Sequence, residues 1–150
     1  VDPKIIEMAI QKFTENNYDY ISTDHPPTFP QGYAVEVFSF ETLENAWKNA
    51  KKLSEREHVT PYIYNNEKKF KLYNITNKKN LSHIRCTLDR TNDFLFLKKI
   101  ILSVKKQPIL LDDVLDVINK SPDLLDINKN YIQNEGYLKS LNEDNKQINE

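Results

Sequence analysis

Residues 33–50 read YAVEVFSFETLENAWKNA, and their hydrophobic period changes halfway along. In the first half, Val35 and Val37 fall on one face of an extended chain while Glu36 falls on the other, which predicts a β-strand. In the second half, opening at Ser39 or Glu41, the apolar residues recur at helical spacing, at Leu43, Ala46, Trp47 and Ala50. A strand that leads directly into a helix is typical of α/β proteins.

The alternation of strands and helices continues on both sides of this stretch. Asp2 and Pro3 are typical of an N-cap and a first helical residue, and an apolar helical face follows them. Further strands are predicted over residues 18–23, 69–75 and 82–88, and further helices over 91–104, 111–119 and after Pro122. Residues 142–150 are polar and are predicted to be a disordered tail. We therefore expect an α/β fold with a mixed sheet over residues 1–141.

Composition excludes several classes of protein. The 21 basic and 22 acidic residues nearly cancel, so the chain lacks the basic field of a sequence-independent DNA-binding protein. No apolar run approaches the roughly 20 residues of a membrane-spanning helix, and no secretory leader is visible. Cys86 is the only cysteine, which excludes an internal disulfide and fits a reducing cytoplasm. With 2 glycines, these residues cannot contain a glycine-rich phosphate loop.

Asp89 is the first candidate functional residue. It ends the predicted strand over 82–88, and ligands of open α/β sheets bind beyond the carboxyl ends of strands. A carboxylate there is a suitable ligand for a hard divalent cation. The alternative is that Asp89 only caps the helix that follows, a role in which aspartate is common.

Two further segments carry candidate binding residues. The loop from Pro26 to Gly32 is stiffened by three prolines and leads into the strand of Glu36, whose carboxylate could accept hydrogen bonds from sugar hydroxyls. Arg56 and His58 offer a fixed cation and a titratable donor for a phosphate or a sugar carboxylate. The alternatives are a rigid surface turn with Glu36 in solvent, and a helix start with His58 bonded to backbone. The histidine spacing predicts no zinc site.

Taken in order, four segments resemble the spore-coat polysaccharide (SpsF-like) cytidylyltransferases. Residues 28–38 resemble that family's FP-x-G-x-x-VE-V-F segment, and residues 56–63 match its REHVTPYI segment. Residues 83–93 resemble its LRWTVDTPEDL segment, and residues 134–140 resemble its usual C-terminal ending. Cys86 replaces a common tryptophan, Ala34 a frequent aspartate, and residues 90–93 the commoner TPED. The family is related to the CMP-sugar synthetases.

The resemblance implies a Rossmann-like nucleotidyltransferase fold, a three-layer α/β/α arrangement with a mixed sheet. It implies transfer of CMP from CTP to a sugar for surface or spore-coat polysaccharide, with release of pyrophosphate and dependence on magnesium. Asp89 is then expected to bind the metal. The residues expected to bind substrate are Gln31, Gly32, Glu36, Arg56 and His58, of which Arg56 and His58 could instead form the contact of a homodimer.

The resemblance also implies that these residues are the C-terminal, sugar-side and dimer-side portion of a longer domain. The chain opens at Val1, and the family's Pro-Gly-Lys loop and first metal-binding aspartate are expected upstream of it. By itself this portion is expected to bind CTP poorly and to be inactive. The alternative function is a non-catalytic sugar-binding or dimerisation module that lacks the nucleotide-binding half.

Overall fold

The strand and the helix of residues 33–50 form as their pattern predicts. In the computed structural model, which describes residues 1–147, strand β2 spans Glu36–Phe38 and helix α2 spans Phe40–Asn49. Ser39 is the N-cap, and its hydroxyl accepts a hydrogen bond of 3.1 Å from the backbone N–H of Thr42. The remaining strands are β1 (Tyr20–Ser22) and β3 (Leu72–Asn74).

The other helices complete the described chain. They are α1 (Pro3–Glu15), α3 (Leu53–His58), α4 (Pro61–Tyr64), α5 (Thr91–Ser103), α6 (Leu111–Lys120) and α7 (Glu135–Gln147), with a 3-10 helix over Pro122–Ile127. Within residues 1–147, no helix combines the length and the apolar character needed to cross a membrane.

The described strands form one mixed sheet in the order β2-β1-β3. Strand β1 pairs antiparallel with β2 and parallel with β3, with Ile21 opposite Val37 on one side and Tyr73 on the other. All of β1 is buried, as expected of a central strand covered on both faces. The α/β class with a mixed sheet is therefore confirmed.

Asp2 connects the start of helix α1 to the start of helix α6. One carboxylate oxygen of Asp2 accepts the N–H of Lys4 at 2.8 Å, which is the predicted N-cap. The other oxygen accepts the N–H of Leu111 at 2.8 Å, so the same side chain caps α1 and holds the start of α6. Ile5, Ala9 and Leu111 share one core cluster with Ile21 of the sheet.

The prediction of a strand over residues 82–88 is wrong. This segment is irregular apart from a single parallel bridge between Arg85 and Gln31. Turns interrupt its pairing with the proline loop, because the N–H of Ile84 donates to Leu81 and the N–H of Tyr33 donates to Pro30, each at 3.0 Å. The pairing is thus restricted to two hydrogen bonds around Gln31, from its N–H to Ile84 (2.9 Å) and to its carbonyl from Cys86 (2.8 Å).

The predicted disordered tail differs from the structure over residues 142–147, where helix α7 continues to Gln147. Asp144 is buried and accepts hydrogen bonds from the N–H (3.1 Å) and hydroxyl (2.5 Å) of Ser54 in α3. A long-range contact between two side chains of a polar segment is not visible in composition, which explains the error. Residues 148–150 lie outside the described part of the chain.

Candidate active site

A cavity of about 340 Å³ opens between three segments that are distant in sequence. They are the proline loop, the irregular segment that leads to α5, and the residues at the start of α7. The cavity is lined by Asp24, Gln31, Gly32, Ala34, Arg85, Thr87, Asp89, Arg90, Ile132, Gln133, Asn134, Glu135 and Gly136. The lining therefore includes three of the predicted site residues, Gln31, Gly32 and Asp89.

Gly32 allows the proline loop to approach the segment before α5. Its φ of +92° lies in the region that favours glycine, and a Cβ placed on it would meet the carbonyl oxygen of Cys86 at 2.7 Å. The neighbouring Gln31 is fixed by the parallel bridge, and its amide donates to the carbonyl of Ser82 at 3.2 Å. The loop is thus held against residues 82–86 by contacts with their backbone.

Asp89 lies on the exposed side of the cavity wall, with 64% of its side chain accessible. Its Oδ2 accepts a hydrogen bond of 2.9 Å from Nη2 of Arg85. The alternative in which Asp89 caps the following helix does not describe this structure. That role belongs to Asp93, whose Oδ2 accepts the N–H of Asp89 and of Arg90, each at 3.1 Å.

Asp93 is fully buried beneath the cavity and has a charged partner. Its two oxygens accept from Nε and Nη2 of Arg85, both at 2.9 Å, and Asn128 adds a third side-chain donor at 2.9 Å. Burial alone would raise the pKa of Asp93, but the hydrogen bonds from Arg85, Asn128 and the backbone outweigh it and lower the pKa well below its usual range. The same pairing raises the pKa of Arg85.

The cavity presents oxygen atoms rather than nitrogen or sulfur ligands. Asp24, Gln31, Asp89 and Glu135 contribute them, and the buried hydroxyl of Thr87 has no hydrogen-bond partner among the described residues. Burial raises the pKa of Asp24, and Glu36 raises it too, while His25 lowers it. Within residues 1–147, no cluster of three or more histidine, cysteine or acidic side chains could hold a metal ion by itself.

Glu36 lies beside the cavity rather than in its lining. Its carboxylate accepts a hydrogen bond from the hydroxyl of Tyr20, and Nε2 of His25 lies 3.8 Å from Oε1. Burial raises the pKa of Glu36, but the neighbouring His25, the hydrogen bond from Tyr20 and the nearby Thr60 outweigh it, so the pKa is lowered. Glu36 is an exposed residue, as the alternative expects, but its carboxylate is engaged by donors rather than free.

His58 lies behind the start of α7. Its Nε2 is 3.1 Å from the hydroxyl of Ser140, its ring meets Tyr137 edge-on with centroids 5.3 Å apart, and Cε1 would lie 3.9 Å from a Cβ on Gly136. Tyr137 in turn is hydrogen-bonded to Tyr64, whose ring lies 4.0 Å from that of His25. A chain of aromatic and titratable groups thus connects Glu36 to His58 along the cavity edge.

Arg56 is not brought to the cavity. Its Nη1 donates to the backbone carbonyl of Trp47 at 2.7 Å, and it lines a separate apolar groove between α2 and α3 with Phe40, Trp47 and Val59. The indole of Trp47 is 64% exposed there. Of the two adjacent motif residues, His58 therefore faces the start of α7 while Arg56 faces the groove.

The sequence model of the cytidylyltransferase family matches residues 1–139. The chain belongs to the cytidylyltransferase family. This confirms the resemblance at the level of cytidylyltransferases, and the spore-coat branch stays a prediction.

Two relatives show how much of a cytidylyltransferase the chain represents. A solved cytidylyltransferase from Leptospira borgpetersenii serovar Hardjo-bovis superposes with a TM-score of 0.80 at 27% identity, over 89% of this chain and 56% of that one. An uncharacterized protein of Methanocaldococcus jannaschii is 37% identical over 136 residues, which are 87% of this chain and 53% of that protein. The chain thus spans about half the length of the relatives it matches.

Sequence reasoning missed the residues that organise this cavity. Neither Arg85 nor Asp93 is among the predicted site residues, and both occur only within the motif over residues 83–93. A usable signal was present, since Asp93 stands three residues after Arg90 and can accept the N–H groups of a helix start. The contribution of residues 133–136 depends on the long-range docking of α7 and has no comparable local signal.

Proposed function

We propose that the chain is the substrate-side part of a cytidylyltransferase that transfers CMP from CTP to a sugar. In this reaction a sugar hydroxyl oxygen forms a bond to the α-phosphorus of CTP. The bond between that phosphorus and the bridging oxygen to the β-phosphate breaks, pyrophosphate leaves, and the hydroxyl proton passes to solvent. The products are a CMP-sugar and pyrophosphate, and we assign the product to surface or spore-coat polysaccharide synthesis.

The observation that carries this proposal is the convergence of Gln31, Gly32 and Asp89 on one cavity. These residues come from two motifs separated by more than fifty positions, and both motifs were singled out by the family resemblance. Membership of the cytidylyltransferase family supports CTP as the nucleotide. A cavity of about 340 Å³ is at the lower end of the size of small-molecule sites, and it suits part of a substrate rather than a whole nucleotide and sugar.

The cavity suits magnesium only in the way nucleotide enzymes usually bind it. Mg²⁺ typically binds through one or two carboxylates, with phosphate and water oxygens completing its shell. The exposed carboxylate of Asp89 and the nearby oxygens of Asp24 and Gln31 fit that requirement. When bound, the ion would neutralise charge that develops on the phosphates. Asp89 would hold it.

The remaining predicted residues receive different roles. Glu36, held ionised by its donors, would accept a hydrogen bond from the sugar at the cavity edge. His58 would support the start of α7, and with it Gly136 in the cavity wall. Arg56 and the apolar groove around Trp47 would belong to the contact of a homodimer, since that face carries exposed apolar side chains.

The test is release of pyrophosphate from CTP and magnesium by the complete gene product, over a panel of sugars. Asp89→Asn is compared with Asp126→Asn, because Asp126 is also an exposed carboxylate (66% against 64%) in an ion pair, with Lys129. We expect release that requires one class of sugar, falls at least about 100-fold in Asp89→Asn and is unchanged in Asp126→Asn.

Other outcomes separate the competing function. Absence of release with every sugar and nucleotide, from a protein that is folded, would favour the non-catalytic sugar-binding or dimerisation module. Release that is equal in Asp89→Asn and Asp126→Asn would retain the transferase but remove Asp89 from the metal site. The 150-residue chain assayed beside the complete protein is expected to be inactive.

A further inference from the structure

Arg85 contacts two segments of the cavity lining with a single guanidinium group. Nη2 donates to Asp89 at 2.9 Å, and Nη1 lies 3.4 Å from the side-chain oxygen of Gln31. These two residues come from different segments of the cavity lining and are both predicted site residues. Arg85 itself is only 10% exposed, so a substrate in the cavity would meet Asp89 and Gln31 more readily than the guanidinium.

The guanidinium is anchored from below. Nε and Nη2 form a two-pronged ion pair with the fully buried Asp93, and Tyr131 covers the guanidinium at 5.5 Å from its ring centroid. Asn128 closes the arrangement, because its amide donates both to Asp93 (2.9 Å) and to the backbone carbonyl of Arg85 (3.1 Å). A planar, multiply bonded guanidinium of this kind has a fixed orientation that a lysine ammonium cannot reproduce.

We propose that Arg85 is a positioning residue that fixes the carboxylate of Asp89 and the amide of Gln31 on the cavity wall. This rests on the proposed function, in which Asp89 holds the metal ion that binds the triphosphate. An exposed aspartate populates several rotamers, and fixing one of them removes the entropy of ordering it when the ligand binds. Partners that orient a metal ligand from behind typically change metal affinity or activity by about 10–100-fold when they are removed.

The experiment replaces Arg85 by lysine in the complete protein, which keeps the charge and loses the fork. We expect the apparent magnesium requirement of pyrophosphate release to rise by about 10-fold or more, with the KM for the sugar changed far less. Mn²⁺ binding in the presence of CTP, measured by titration calorimetry, should weaken by a similar factor. Lys129→Ala, which breaks an exposed ion pair of Asp126, is the control and should change neither quantity.

A double-mutant comparison separates positioning from general stability. If Arg85 acts through Asp89, adding Arg85→Lys to Asp89→Asn should cost less than about 3-fold in the same two quantities. Full multiplication of the two effects would overturn the proposal. If Arg85→Lys fails to fold, Tyr131→Leu, which removes the ring that covers the guanidinium, takes its place in the comparison.

A crystal structure of Arg85→Lys tests the inference independently of activity. We expect the backbone of residues 85–93 to be retained and the Asp89 carboxylate to be displaced or disordered. An unchanged Asp89 carboxylate would overturn the inference while leaving the cytidylyltransferase proposal intact. Absence of CTP-dependent chemistry beside a displaced carboxylate would reject the proposed function and retain Arg85 as the residue that orders this wall.

Discussion

Asp93 and Asp144 are buried carboxylates that join distant parts of the chain, as Asp2 also is, and these two do so in different ways. Asp93, with no exposed side-chain surface, is paired with the guanidinium of Arg85 beneath the cavity. Asp144, 6% exposed, is bonded to the backbone N–H and the hydroxyl of Ser54 where α7 packs on α3. Asp93 therefore faces a charged donor, whereas Ser54 offers Asp144 only neutral donors.

The difference indicates what each contact does. Arg85 pairs with Asp93 and, through Nη2, also donates to Asp89, so the buried ion pair extends to the cavity surface. The contact of Asp144 ends at Ser54 and serves to attach a helix. We therefore expect loss of Asp93 to affect both stability and the site, and loss of Asp144 to affect mainly the docking of α7.

The largest expected effect is that of Asp93→Asn. Removing one partner of a buried ion pair leaves the other charge uncompensated, which typically costs about 3–5 kcal/mol. Arg85 is 10% exposed and would be left in that state. Urea unfolding monitored by circular dichroism measures the cost. A loss below about 1 kcal/mol, the range of exposed pairs, would show that Arg85 finds compensation elsewhere.

A smaller effect is expected for Asp144→Ala, which removes the acceptor of two hydrogen bonds from neutral donors. Hydrogen bonds to charged groups contribute about 1.5–3 kcal/mol, so we expect a loss in that range. Hydrogen exchange should increase in α7 and α3 while residues 85–93 keep their protection. Asn142→Ala, at an exposed position of the same helix, is the control. Equal loss of protection in both regions would contradict the separation of the two contacts.

The charge of Asp93 should also make the stability of the protein depend on acid. Hydrogen bonds lower the folded-state pKa of both Asp93 and Asp144, that of Asp93 well below its usual range. A depressed folded pKa contributes stability that is present above the unfolded pKa of about 3.9 and is lost as the pH falls below it. Urea midpoints measured from pH 6 to pH 3 should therefore decline more steeply in the parent protein than in Asp93→Asn. Parallel declines would contradict the assignment.

The smallest effect is expected for the exposed pair of Arg90 and Glu135, which joins the start of α5 to α7 at 2.8 Å. Both side chains are more than half exposed, and such pairs contribute about 0–1 kcal/mol. Glu135→Gln should therefore change the urea midpoint little, and the change should vanish at high salt. A loss comparable to that of Asp144→Ala would mean that the attachment of α7 depends on both ends.

Local patterns predicted the parts of the fold that depend on local chemistry. The N-caps at Asp2 and Ser39 and the helical spacing after Thr91 predicted helices that the structure contains. The segment 82–88 has the alternation of a strand, but turns at residues 81–84 and 30–33 restrict its pairing to one bridge. The error arises because alternation within one segment does not show whether a neighbouring segment can pair with it.

The site was predictable to the extent that motif residues converge through the fold. Gln31, Gly32 and Asp89 meet in the cavity, Glu36 and His58 lie along its edge, and Arg56 faces another surface. The pairing of Arg85 with Asp93 and the closure by residues 133–136 depend on long-range packing, so neither follows from spacing alone. These are also the features on which the orientation of Asp89 depends.

The central claim, that this cavity receives the CTP-derived phosphates, is tested most directly by a crystal structure. The complete protein would be crystallised with magnesium and a CTP analogue that cannot be cleaved between the α- and β-phosphates. We expect phosphate density between Gln31 and Asp89, with a cation within direct coordination distance of Asp89. Nucleotide bound elsewhere, with the cavity occupied by solvent, would contradict it.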